Sequence, residues 1–217
     1  MENPAKEAAT VATLVTAAVN PEIQHEAVLK YYAPNINFRH PICAVKSGPN
    51  SRAQMLGILQ WYRIMSPRIS VHVSSVTYNE ETKHVYLDVT QTFHMFYSPF
   101  APASTRLIAL LKLREERSPA DPSKSVYVIA EHEDFYHPDD FAALVMPPLI
   151  PLVRFALVLA TWMSMFSARL FMMFGFWTAQ DGEGGRGVDV CPEGEPLPPV
   201  GEDEAIELGD MKKKKNE

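Results

Sequence analysis

Five side chains could do chemistry if the fold brought them together. Glu131 and His132 are neighbours in VYVIAEHEDFYHP (126–138), which alternates with period two. Neighbours on a strand point to opposite sides, so only one of the pair can face inward. An inward His beside a carboxylate suits proton abstraction next to a carbonyl. Tyr31, Tyr62 and Gln91 are polar groups set into otherwise apolar faces. Strand histidines and tyrosines more often cap a core or face water than react, so binding is favoured over catalysis and no catalytic residue is assigned. HEDFYH (132–137) with His40 lacks the ligand spacing of zinc or iron sites, so no metal is expected. GEGGRG (182–187) follows no strand and opens no helix, so it is not a phosphate loop. No nucleophile elbow occurs, and no cofactor is implied.

The elements that must position these groups are legible in the periodicity. Residues 5–19 carry Ala8, Val11, Ala12, Val15 and Val19 at helical spacing. Asn20-Pro21 stops that helix and starts the next, with Asn20 as N-cap and Pro21 at the first position. The second helix runs to Tyr32, with Ile23, Ala27, Val28 and Tyr31 inward. A short extended segment, Asn35–Arg39, follows. Ser51 can cap a third helix to about Met65, with Met55, Ile58, Leu59, Tyr62 and Met65 on one face. Beyond Pro67 the period becomes two. Strands are expected at Ile69–Thr77, His84–Tyr97, Ser104–Arg114 and Ser125–Tyr136, paired as antiparallel hairpins. Val85, Leu87, Val89, Gln91, Phe93 and Met95 share the inner face of the second. Asp88 and His94 lie on the opposite face, where a homodimer could form through the sheet.

Residues 144–177 are of another kind. Their only charges are Arg154 and Arg169. Such a segment left exposed in water invites aggregation, so membrane lipid is its expected partner. Arg154, Phe155, Trp162, Phe166, Arg169, Phe171, Phe174 and Trp177 are the expected membrane contacts. The charge-free run Phe155–Ala168 has 14 residues. At about 1.5 Å per residue that is roughly 21 Å, short of the ~30 Å hydrocarbon core. Pro147, Pro148 and Pro151 could re-aim the chain before it.

The net charge is −6. The tail 178–217 has 11 acidic and 5 basic residues, which is 5 − 11 = −6, so the rest is neutral. A neutral body argues against nucleic acid as the partner, since that requires a basic face. Cys43 and Cys191 point to no disulfide framework. The N-terminal residues have acids early and no long apolar run, so they do not read as a signal peptide and the first domain is expected in the cytosol. The tail has the composition of disorder, and its PLPP (196–199) could meet a partner domain. Near the end, Lys214 and Lys215 resemble the dilysine retrieval signal of endoplasmic-reticulum membrane proteins. That signal is read in the cytosol, so the apolar segment is expected to cross zero or two times, as a re-entrant hairpin or an interfacial helix.

Three helices interrupted by a short strand and followed by four long antiparallel strands resemble the nuclear transport factor 2-like superfamily. HEAVLKYYAPNINFRHP (25–41) looks like its helix-to-first-strand element, and VYVIAEHEDFYHP (126–138) like its last strand. The SigF-like branch seen in fungal proteins is the most similar. The resemblance implies an α+β cone over 5–140, three helices packed in a curved antiparallel sheet. The apolar segment 144–177 and the acidic tail 178–217 lie outside that minimal domain. The cone implies a pocket, lined here by Tyr31, Tyr62, Gln91 and His132. The expected function is a membrane-attached binding or scaffold protein holding an apolar small molecule, at the endoplasmic reticulum or on lipid droplets, with its domain facing the cytosol. The alternatives are an isomerase- or cyclase-type enzyme with His132 or Tyr62 as proton handler, and a soluble dimeric adaptor.

Overall fold

The computed structural model describes residues 1–117 and 124–176. Two compact units divide the chain, Met1–Ala160 and Thr161–Glu217. Trp177, Cys191, the tail with its PLPP and GEGGRG segments, and Lys214 and Lys215 lie outside the described residues.

The first unit opens with two capped helices. In α1 (Pro4–Ala17) the Asn3 side chain accepts from the Lys6 N–H at 3.2 Å; in α2 (Pro21–Tyr31) Asn20 accepts from the Glu22 N–H at 2.7 Å. Each cap satisfies a backbone donor that the helix cannot, and each is followed by a proline whose missing N–H costs nothing there. Pro34 disfavours helical backbone at the residue before it, and α2 stops at Tyr31. Tyr32 therefore begins β1 (Tyr32–His40), which turns back into the short β2 (Cys43–Val45). Helix α3 (Ser51–Met65) follows; Asn50 holds its N-cap position, while the Ser51 hydroxyl donates to the Gly48 carbonyl at 2.9 Å.

The remaining strands are β3 (Ser70–Asn79), β4 (His84–Phe93), β5 (Ala103–Arg117) and β6 (Ser125–Tyr136). They form one six-stranded sheet in the order β2-β1-β6-β5-β4-β3. The sheet is mixed rather than wholly antiparallel, because β1 runs parallel to β6. Register irregularities interrupt the β1/β6, β3/β4 and β5/β6 ladders. Such irregularities bend and twist a strand, which curves the sheet round the helices. On its concave side Val85, Leu87 and Val89 of β4 and Leu107, Ala109, Leu111 and Leu113 of β5 are buried against Val11, Val15, Val28, Met55 and Leu59 of the helices. The convex side carries ion pairs, Arg106–Asp88 at 2.7 Å and Lys112–Glu131 at 2.8 Å.

After β6 come α4 (Pro138–Val145), one 3-10 turn (Pro147–Leu149) and α5 (Ile150–Met173). Helix α5 is unbroken, so of the two expected forms, a re-entrant hairpin or an interfacial helix, it does not take the hairpin. Pro151 falls in its first turn, where a proline interrupts no helical hydrogen bond. Its 24 residues span roughly 36 Å at about 1.5 Å each. Residues Pro147–Met173 are long and apolar enough to cross a bilayer by length and composition, and their most apolar window is 0% buried.

Candidate functional site

The concave face closes round a cavity of about 70 Å³. Most of its wall is apolar, from Val15, Leu59, Val71, Leu87, Val89, Leu107 and Leu111. Polar groups reach it from three strands and two helices: Tyr32 and His40 of β1, Gln91 of β4, His132, Asp134 and Tyr136 of β6, Thr16 of α1 and Tyr62 of α3. Alternation along the strands explains the set. Residues two apart share a face, so His132, Asp134 and Tyr136 point the same way. The parallel register sets Phe38 beside His132, and the imidazole meets the Phe38 ring edge-on at 5.3 Å between centroids.

Two hydrogen-bonded chains run along this polar end. In the first, His132 Nε2 lies 3.1 Å from Asp134 Oδ1, and Nδ1 lies 3.2 Å from the Tyr32 hydroxyl. An ionised carboxylate only accepts, which places the proton of a neutral imidazole on Nε2 and makes Nδ1 the acceptor for the Tyr32 O–H. In the second, His40 Nδ1 accepts from the Tyr62 hydroxyl at 3.1 Å and faces the Ile42 N–H at 3.5 Å. The proton of a neutral His40 is then on Nε2, free to be donated to a ligand oxygen. His40 also packs against Tyr136 at 5.4 Å, and the Gln91 amide donates to the Tyr136 hydroxyl at 2.7 Å.

Burial sets the protonation states. Desolvation lowers the His40 pKa below its ordinary value, opposed by the Asp134 charge, so the ring is neutral at neutral pH. Desolvation pushes the hydroxyls of Tyr32, Tyr62 and Tyr136 far up, so they stay protonated. Burial likewise raises the Cys43 thiol, whose sulfur is 3.9 Å from the Tyr62 hydroxyl. The polar end therefore offers neutral donors beside one carboxylate, a set that can hold a carbonyl or hydroxyl oxygen.

Tyr62, Gln91 and His132 line this cavity, and Tyr31 does not. Tyr31 is the last residue of α2, half-buried at the edge of the core with the Lys30 ammonium 5.0 Å from its ring. The helix ends one residue earlier than its apolar spacing implies, and Tyr32 takes the inward place. Glu131 points outward to Lys112. Asp134, Tyr136 and His40 were missed as pocket residues. Two-residue spacing from His132 was signal enough for the first two; His40 needed the parallel β1/β6 pairing. Among the described residues no cluster of three or more His, Cys, Asp or Glu is placed to hold a metal.

On the apolar segment, Phe155, Trp162, Phe166, Phe171 and Phe174 are all exposed. Arg154 and Arg169 are exposed too, and Arg154 pairs with Asp139 at 3.0 Å.

A cone of helices in a curved sheet around an internal cavity defines the nuclear transport factor 2-like class. The chain belongs to the SigF NTF2-like domain family, whose model matches residues 1–176. That match runs through α5, so the apolar helix is part of the family's extent rather than an addition beyond residue 140. Solved structures of similar fold include a hypothetical protein of ketosteroid isomerase-like fold from Catenulispora acidiphila in complex with trimethylamine, 19% identical over 62% of this chain and 90% of that one, TM-score 0.45. A protein described as a SnoaL-like polyketide cyclase from Jannaschia is 14% identical over 68% and 99%, TM-score 0.46. An epoxide hydrolase of M. tuberculosis, described as LEH-like, is 10% identical over 70% and 99%, TM-score 0.46. No curated protein matches the chain.

Proposed function

We propose that the chain is a membrane-attached pocket protein that holds a small, mainly apolar molecule by a carbonyl or hydroxyl end. The observation that carries this reading is the polarity of the cavity: apolar walls, with His40, Asp134, Tyr62 and Tyr136 gathered at one end. Ligand sites have that form, a greasy enclosure with a few convergent polar groups. At about 70 Å³ the cavity is well below the roughly 300–1,000 Å³ of drug-sized sites. The ligand is therefore small, or enters by one end. Titration with cyclopentenone, a small cyclic enone, is expected to raise the melting temperature. No shift, with His40→Phe and the unaltered chain behaving alike, counts against the pocket.

The exposed α5 supports attachment; the place we propose, the endoplasmic reticulum or droplets derived from it with the cone facing the cytosol, rests on Lys214 and Lys215 in the sequence. Carbonate extraction of membranes tests this. Recovery of the full chain in the soluble fraction would refute attachment.

A second reading has its own observation. The His132–Asp134 pair sits in the cavity with both side chains 12% exposed. It suits proton transfer next to a ligand carbonyl, as an isomerase or cyclase needs. Exchange of the enone's acidic protons with deuterated water, lost in Asp134→Asn, would support it. Exchange at the uncatalysed rate would exclude it.

A further inference from the structure

The cone carries an apolar rim that the cavity does not use. On the last turns of α3, Trp61 and Ile64 stand three residues apart and are 49% and 67% exposed. Residues three apart lie on one helix face. Ile42, in the β1–β2 turn, shares a surface groove with Trp61. The β4–β5 connection adds Phe96, Tyr97 and Phe100, again exposed. That connection is fastened to the end of α3: the Phe96 N–H donates to the Met65 carbonyl and the His94 N–H to the Ser66 hydroxyl, each at 2.9 Å. Ile42 and Trp61 share their groove with Tyr62, and the connection that carries Phe96, Tyr97 and Phe100 leaves the sheet at Phe93; Tyr62 and Phe93 line the cavity and meet edge-on at 5.9 Å. Isolated exposed apolar residues need no explanation, but a fixed group of aromatics does.

Charge identifies the occupant. The chain is acidic as a whole, at −6, yet residues 27–79 contain six Lys and Arg and no Asp or Glu. The connection 94–102 has no Asp, Glu, Lys or Arg. Arg63 is on α3 itself, where it donates to the Ser66 and Pro67 carbonyls, and the exposed Lys46 and Arg68 lie in the loops that precede and follow α3. Trp and Tyr favour the depth of lipid headgroups, and cations favour the anionic leaflet. We propose that Ile42, Trp61, Ile64, Phe96, Tyr97 and Phe100 form a second membrane-contact surface, which takes an anionic bilayer and sets the Tyr62–Phe93 edge of the cavity against it. This deepens the attachment reading but stands on different residues.

The test uses the full chain with Trp162→Phe and Trp177→Phe, which leaves Trp61 as its one tryptophan. The chain is mixed with phosphatidylcholine–phosphatidylserine vesicles containing brominated phosphatidylcholine, and both co-sedimentation and Trp61 emission are read. Quenching of Trp61 by the brominated lipid is expected. Phe96→Asp with Ile64→Asp should abolish the quenching while co-sedimentation through α5 persists. Each cation near an anionic surface is worth about fivefold in binding, so Lys46→Gln with Arg68→Gln should lower the docked fraction that Trp61 reports. Co-sedimentation without quenching overturns the rim and leaves the α5 attachment standing. Absence of both overturns both. Trp61 shielded from aqueous iodide as well as from brominated lipid would mean a protein occupant, such as a second copy, and would also overturn the proposal.

Discussion

The chain Tyr32–His132–Asp134 makes a quantitative prediction. Tyr32 is 2% exposed, and its hydroxyl meets His132 Nδ1 at 3.2 Å. Tyr32→Phe removes that donor and leaves Nδ1 without it, at a cost of about 1–3 kcal/mol. Asp134→Ala removes the acceptor at 3.1 Å from Nε2, and a hydrogen bond to a charged group is worth about 1.5–3 kcal/mol. The two losses are not independent, because both act on one ring. Without Asp134 the imidazole is free to change tautomer or turn, so the Tyr32 bond is already weakened when Tyr32→Phe is added. The double variant should then be destabilised by less than the sum of the singles, with a coupling of about 1 kcal/mol, inside the range of roughly 0.5–3 kcal/mol seen within one network. Urea unfolding of the full chain in mild detergent micelles, followed by circular dichroism with a common m value, measures all four corners of the cycle. Additivity to within about 0.3 kcal/mol, the behaviour of independent sites, would refute the relay.

Other expectations follow from the same cavity. His40 has a folded pKa below its ordinary 6.5, so between those two values the unfolded chain binds more protons. Stability is then full above pH 6.5 and is lost as the pH falls toward the folded value. A His40→Phe chain should lose less over that interval, and an equal loss would remove His40 from the explanation. Gln91 is 8% exposed and donates to Tyr136 at 2.7 Å, so Gln91→Leu should destabilise by about 1–3 kcal/mol through the orphaned hydroxyl. A neutral or stabilised variant in urea unfolding would contradict that. Burial raises the Cys43 thiol, so iodoacetamide should label it more slowly at neutral pH than in urea; equal rates would show it to be open to solvent.

The period-two stretches and the Asn20-Pro21 cap made most of the cone legible. Capping and proline placement are local, and alternation records a buried face directly, so β4 appears with Val85, Leu87, Val89, Gln91 and Phe93 inward, though it stops at Phe93, short of Met95 and of the expected end at Tyr97. What stayed hidden depends on contacts between distant segments. The parallel pairing of β1 with β6 joins residues roughly a hundred positions apart, and it alone brings His40 and Phe38 to His132. Short β2 has only three residues, too few for any pattern. The substitution of Tyr32 for Tyr31 turns on one residue of helix length, a boundary that side-chain spacing does not fix. For α5, the prolines at 147–151 read as breakers, yet Pro151 sits where a helix accepts one.

The most direct test of the pocket is where a small ligand sits. Isotope-filtered NOE measurements on the full chain with cyclopentenone should show contacts from the ligand to the rings of His40, Tyr62 and Tyr136. A saturating ligand with NOEs only to the groove of Ile42 and Trp61, or with none to these three rings, would contradict binding in the cone.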